Sequence, residues 1–301
     1  MITELPATPE LLNAEALLKL GGLELVARTV VDGAMSGLHQ SSQKGGCSEF
    51  SEHRAYSQGD DLRMIDWRIV ARSDRWCVKQ FDDETNLHAW LVLDTSGSMQ
   101  FGHSTVTRFD YSRMAAACLA RLLLRQRDSI GLIYGPEGRR SVVTPRPQSD
   151  HFLSLLHALD TAKAGGPASV IGCLQDVLGR IKRRGIVMVF SDCFGDVKEL
   201  ASTLQLLRLR GHDVIVFQVL TPEEVSFRFR DAMIFEDLEQ REHRLKIDTN
   251  QIRRRYLEKL NAFQLKLYDS VHDAGCDIVT LRTDQELGDV LALWLLRRKA
   301  K

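Results

Sequence analysis

Apolar runs of strand length alternate with amphipathic stretches of helix length from Leu87 onward, and nothing else in the chain limits its fold as much. Leu87–Leu93 reads as a buried strand and Arg108–Gln126 as an amphipathic helix. Ser129–Tyr134 is a strand, with Arg139–Thr144 another across a Gly-Pro-Glu-Gly turn. Helical spacing returns over Ser149–Ala162 and Ser169–Arg183. Gly185–Ser191 is a strong strand, Val197–Arg210 a helix and Asp213–Leu220 a strand. A long helix over Gln251–Ala274, a strand over Asp277–Arg282 and a helix over Asp284–Arg298 complete the series. Apolar strands bridged by helices need cover on both faces, so the expected fold is α/β, a doubly wound and mainly parallel sheet. The order breaks after Thr221-Pro222. Ala232–Phe235 and Arg244–Ile247 flank an acidic turn and read as a small hairpin insertion, about residues 222–249.

Residues 1–85 precede this series as a helical and charged extension, and residues 86–301 form the α/β domain. With 301 residues, 44% of them hydrophobic, the chain is long enough for a substantial core. Lys+Arg and Asp+Glu are each 40, so charge gives no reason to expect nucleic acid or an acidic membrane as partner. Basic runs such as Arg253–Arg255 read as solvated helix faces or helix ends. The six cysteines are scattered, without a Cys-x-x-Cys pair, which is reduced, intracellular usage. No apolar run approaches the roughly 20 residues that span a bilayer, and Met1–Leu20 lacks the basic start and apolar core of a signal peptide. A soluble, cytoplasmic protein is expected.

The strand Leu91-Val92-Leu93 ends in Asp94-Thr95-Ser96-Gly97-Ser98. Ligands of open α/β sheets sit where strands end, and a carboxylate with two hydroxyls suits a hard cation such as Mg²⁺, which takes six oxygens and keeps waters. The same residues also serve as ordinary turn and cap formers. A second strand, Val187–Phe190, ends in Ser191-Asp192, so neighbouring strands would bring Asp192 to face Asp94. Walker-type, dinucleotide-binding and Gly-x-Ser-x-Gly motifs are all absent. Ser96 stands where aspartyl phosphotransfer wants a second carboxylate. No enzymatic role is expected.

Asp-x-Ser-x-Ser after a strand resembles the metal-ion-dependent adhesion site of von Willebrand factor A domains. That resemblance implies a Rossmann-type A-domain fold and a Mg²⁺ (or Mn²⁺) held directly by Ser96 and Ser98. Asp94 and Asp192 would act mostly through water and balance charge. One position would stay open for a partner's carboxylate. The family supplies a Thr from a glycine-bearing loop. Here Gly165-Gly166-Pro167-Ala168-Ser169 puts Ala168 at that position, with Ser169 one residue later as the substitute hydroxyl.

Residues 49–85 carry a closely spaced set: Arg54, Tyr56, Gly59, Asp60, Arg63, Asp66, Trp67, Arg68 and Arg72. With the segment from about Gly46 to the carboxyl end, this set resembles the bacterial domain-of-unknown-function family 58, fused to an A-type domain. Forked Arg–carboxylate pairs and Arg stacked on aromatics suit such a composition. It serves either as an ion-pair network pinning the extension or as a docking surface, with Arg54, Trp67, Arg68 and Arg72 as contacts. Members of the resembled family are commonly encoded beside MoxR-type AAA+ ATPases. The resemblance therefore implies an adaptor or co-chaperone through which such an ATPase acts on a client protein. A metal-independent scaffold and a Mg/Mn-dependent hydrolase are the alternatives.

Overall fold

The computed structural model describes residues 22–33, 53–55, 67–73, 75–79, 87–102, 106–165, 168–227, 232–236 and 244–289. The chain separates into two units, one of residues 35–85 and one of residues 1–34 with 86–301.

In the smaller unit, β1 (His53–Ala55) pairs antiparallel with β2 (Cys77–Lys79), and α2 (Trp67–Ser73) lies between them in sequence. Trp67 and Trp76 meet edge to face at 6.1 Å. Most of the Arg–carboxylate network expected in residues 49–85, including Gly59-Asp60, falls outside the described residues.

The larger unit is built on a six-stranded sheet. Its strands are β3 (His88–Leu93), β4 (Ser129–Tyr134), β5 (Ser141–Arg146), β6 (Gly185–Ser191), β7 (Asp213–Leu220) and β10 (Asp277–Arg282), in the order β10-β7-β6-β3-β4-β5. All neighbours are parallel except the edge pair β4–β5. The α/β, doubly wound, mainly parallel sheet expected from the alternation is what the chain forms. The path runs outward from β3 through β4 to β5, then returns to the other side of β3 and runs outward again through β6, β7 and β10. The reversal lies between β3 and β6, the position where ligands of such sheets bind.

Alternate residues of each strand face opposite layers. Trp90, Val92, Val187, Val189, Val214 and Val216 form one core with α5 (Val170–Arg180), α6 (Val197–Leu209) and α8 (Thr249–Asp273). The intervening residues face the other layer, where Phe190 and Phe217 stack at 4.9 Å and α3 (Arg108–Arg125) packs. The helix over residues 22–33 (α1) buries Leu23, Val26, Ala27 and Val31, the spacing of one helical face. It belongs to the larger unit, tied to α3 by Arg125–Asp32 at 2.6 Å. α4 (His151–Thr161) packs on α3 and β5.

Strand β5 runs to Arg146, past the expected end at Thr144, because Pro145 sits on the outermost strand, where a missing N–H costs no ladder bond. The short helix α7 (Pro222–Ser226) opens with a Thr221/Glu224 capping box. It precedes the antiparallel hairpin of β8 (Ala232–Glu236) and β9 (Arg244–Asp248), the insertion expected there. Among the described residues no helix is long and apolar enough to cross a membrane.

Candidate metal centre

The site forms where β3 and β6 end side by side. Leu93 lies opposite Phe190, and the Asp94 N–H donates to the Phe190 carbonyl at 2.9 Å. Register alone therefore brings Asp94 beside Ser191 and Asp192. Asp94 is buried. Its Oδ1 accepts from the Ser96 N–H at 2.9 Å, the turn expected of an Asp that leaves a strand. Its Oδ2 accepts from the Ser191 hydroxyl at 2.5 Å. Ser191 in turn accepts from the Cys193 N–H at 2.9 Å, which fixes the β6 exit with Cys193 in the left-handed region at φ 60°. Burial, then the charge of Asp192, pushes the Asp94 carboxyl up to about 6, against the hydrogen bonds from Ser191 and Ser96.

Ser96 precedes a 3-10 turn, Gly97–Gln100, which curls Ser98 back so that the two hydroxyl oxygens stand 3.0 Å apart. That is a hydrogen-bond distance. It also matches the separation of roughly 3.0 Å between adjacent corners of an octahedron with metal–oxygen bonds of about 2.1 Å, the Mg²⁺ geometry. Asp192 is buried. Its Oδ1 accepts from the Phe194 N–H at 3.0 Å, and its Oδ2 is paired with the Arg108 guanidinium.

Arg108 had no assigned role in the sequence, yet it is central here. It is 4% exposed at the first position of α3. It donates from Nε to Glu224 Oε2 at 2.9 Å and from a second nitrogen to Glu224 Oε1. Its third nitrogen donates to Asp192 and to the Ser98 carbonyl, the latter at 3.3 Å. Phe101 and Phe194 lie within cation–π reach, at 5.1 and 5.3 Å. Glu224 is held by Thr221, whose N–H donates to Oε2 at 2.9 Å. Burial raises the Glu224 carboxyl, opposed by Arg108 and Thr221. The local signal for Arg108 was a cation at a helix start, the wrong charge for the dipole there. Its partners lie 84 and 116 residues away.

Of the residues expected to hold a metal, Asp94, Ser96, Ser98 and Asp192 converge at the switch point. Ser169 is exposed and accepts from the Gly172 N–H at 3.4 Å as the cap of α5. The loop before it is tied to the site's turn: the Gly165 N–H donates to the Thr95 carbonyl at 2.9 Å, and Gln100 donates to the Ala164 carbonyl. In the smaller unit Trp67 is 58% exposed and Arg72 is exposed. Arg54 lies on β1 and Arg68 on α2.

The donors fit a hard divalent cation. They are hydroxyl and carboxylate oxygens: Arg108 pairs with the buried Asp192 and Glu224, while the buried Asp94 is held by the Ser191 hydroxyl and the Ser96 N–H. Among the described residues no three His, Cys, Asp or Glu side chains gather in a metal-binding cluster, so a cation here would lean on Ser96, Ser98 and water.

A family model described as "Protein of unknown function DUF58" matches residues 52–264. The chain belongs to this family. The DUF58 chain is 27% identical over 282 residues to the uncharacterized proteins Mb1516 of Mycobacterium bovis and Rv1480 of Mycobacterium tuberculosis, covering 92% of its own length and 88% of theirs. Among solved structures it is similar to the conserved hypothetical protein BatB from Bacteroides thetaiotaomicron (TM-score 0.48, 13% identity, 71% of this chain and 100% of that one). It is also similar to the SpRpn10 VWA domain (TM-score 0.39, 15% identity, 69% of this chain and 94% of that one).

Proposed function

We propose that this DUF58 chain is a non-enzymatic, metal-dependent protein-binding module. In this reading it is a cytoplasmic adaptor or co-chaperone that works with a MoxR-type AAA+ ATPase to remodel or activate a client protein. The observation that carries the reading is the convergence of Asp94, Ser96, Ser98 and Asp192 at the β3/β6 switch point, with carboxylates in excess over Arg108. Mg²⁺ or Mn²⁺ bound there would supply a Lewis-acidic centre able to accept a partner's Asp or Glu. Ser96 and Ser98 would hold it. Asp94, locked by Ser191 and the Ser96 N–H, and Asp192, locked by Arg108 and the Phe194 N–H, would balance its charge. The exposed Trp67 and Arg72, with Arg54 and Arg68 of the same unit, are the proposed partner contacts. The ATPase partnership and the location rest on the family resemblance.

The test is capture of partners from native lysate by the tagged chain in Mg²⁺ and in EDTA, with Asp94→Ala in parallel. The proposal expects an AAA+ ATPase or a client that is lost both on chelation and in the variant. Equal capture in all three arms would sink it. A metal-independent scaffold is the second reading, favoured by the engagement of Asp192 with Arg108 and by the use of Ser169 as a helix cap. It expects partners that persist in EDTA. A hydrolase would show turnover of phosphoesters or peptides with Mn²⁺.

A further inference from the structure

We infer that Arg108 is a positioning residue for the cation site, which it presets by gripping both loops that carry the candidate ligands against Glu224. The inference rests on the metal-dependent reading above. One guanidinium nitrogen touches a residue of each loop: the Ser98 carbonyl in the turn after β3 and Asp192 after β6. Nε and the other terminal nitrogen each donate to one oxygen of Glu224 in a forked pair, the arrangement a guanidinium makes and an ammonium does not. Glu224 is itself fixed by the Thr221 backbone and hydroxyl, at 2.9 and 3.2 Å. A chain of contacts therefore runs from the end of β7 through Thr221, Glu224 and Arg108 into the ends of β3 and β6.

This arrangement does two things. It holds Asp192 by one oxygen while the Phe194 N–H holds the other at 3.0 Å, so the carboxylate keeps one orientation. It also holds the Ser98 carbonyl at 3.3 Å, which anchors the turn that carries the Ser98 hydroxyl. Asp94 is held separately, by the Ser191 hydroxyl and the Ser96 N–H. The guanidinium lies 5.1 Å from the Phe101 ring and 5.3 Å from that of the half-exposed Phe194, and Arg108 itself is buried, which limits competition from water. Groups that orient metal ligands in this way typically change metal affinity by about 10–100-fold when altered.

The experiment is Mg²⁺ titration calorimetry on the full chain, for wild type, Arg108→Lys, Asp192→Asn and the double variant, with circular dichroism and urea unfolding in EDTA on each. Arg108→Lys keeps the charge and loses the fork. It is expected to weaken Mg²⁺ by about tenfold or more while remaining folded. The double variant is expected to lose less than the product of the two single losses, because Arg108 acts in part through Asp192 and in part through Ser98. Wild-type affinity in a folded Arg108→Lys, or losses that multiply in the double variant, would overturn the assignment. Should Arg108→Lys not fold, Glu224→Gln decides it: weakened binding supports the role and unchanged binding overturns it. A wild type that binds no Mg²⁺ overturns both this assignment and the metal-dependent reading. Tight wild-type binding that ignores Arg108 and Glu224 overturns only the assignment.

Discussion

Residue by residue, the site is legible where its signal is local and silent where its partners are distant. Asp94, Ser96 and Ser98 sit within five positions of one another and end an apolar strand, so the pattern could be seen in the sequence. Asp192 followed from the same pattern on a second strand. Arg108 and Glu224 could not be found this way, since they meet across 116 residues and only the folded sheet brings their loops together. The Thr221/Glu224 capping box was in the sequence, but its carboxylate serves Arg108 as well as the helix. A different polar residue gives a test of pH. His212 is buried and its Nδ1 has no hydrogen-bond partner. Burial, then the charge of Arg210, holds its pKa below the usual imidazole value. The unfolded chain therefore binds the extra proton more readily, and the stability contributed by the neutral ring is lost as pH falls through the unfolded value. Urea unfolding of wild type against His212→Gln between about pH 7 and pH 5 should show the wild type losing stability relative to the variant. A constant difference across that range would contradict the assignment.

Among the elements, the strands were the clearest, because a buried parallel strand is a continuous apolar run and needs no partner to be recognised. Helix and strand ends were harder. α5 stops at Arg180, short of the expected Arg183, with the next residue, Ile181, extended, so the basic run after it belongs to the turn before β6. Strand β5 tolerated a proline that would end an inner strand. The contact that brings Asp94 to Asp192 is the β3–β6 pair, and its far end depends on Gly185. A Cβ there would stand 2.0 Å from the His88 carbonyl oxygen, so the two backbones approach as only glycine allows. Gly185→Ala should cost about 1–3 kcal/mol or more in urea unfolding. Because the substitution lies at the opposite end of the strands from Asp94, the folded variant should keep wild-type Mg²⁺ affinity. A variant as stable as wild type would show that the register described for β3 and β6 is wrong.

At the scale of the whole molecule, the sheet places its ligand position by topology. The chain winds outward in both directions from β3, and the ends of β3 and β6 carry the polar side chains Asp94, Ser96, Ser191 and Asp192, while the strands behind them are packed with apolar residues. At that end of the sheet Arg108 pairs with Asp192 and Glu224 while the buried Asp94 is held by hydrogen bonds, so buried carboxylates outnumber the guanidinium there, although the chain as a whole is neutral. The local excess, more than any net charge, gives the reading of a cation-dependent binding module its physical basis. The most direct measurement is a crystal structure of the full chain grown with Mn²⁺, read for anomalous scattering. The account predicts one strong peak bonded to the hydroxyls of Ser96 and Ser98, beside Asp94 and Asp192, that disappears in Ser98→Ala. Saturating Mn²⁺ with no peak there, or with peaks only elsewhere on the chain, would contradict it.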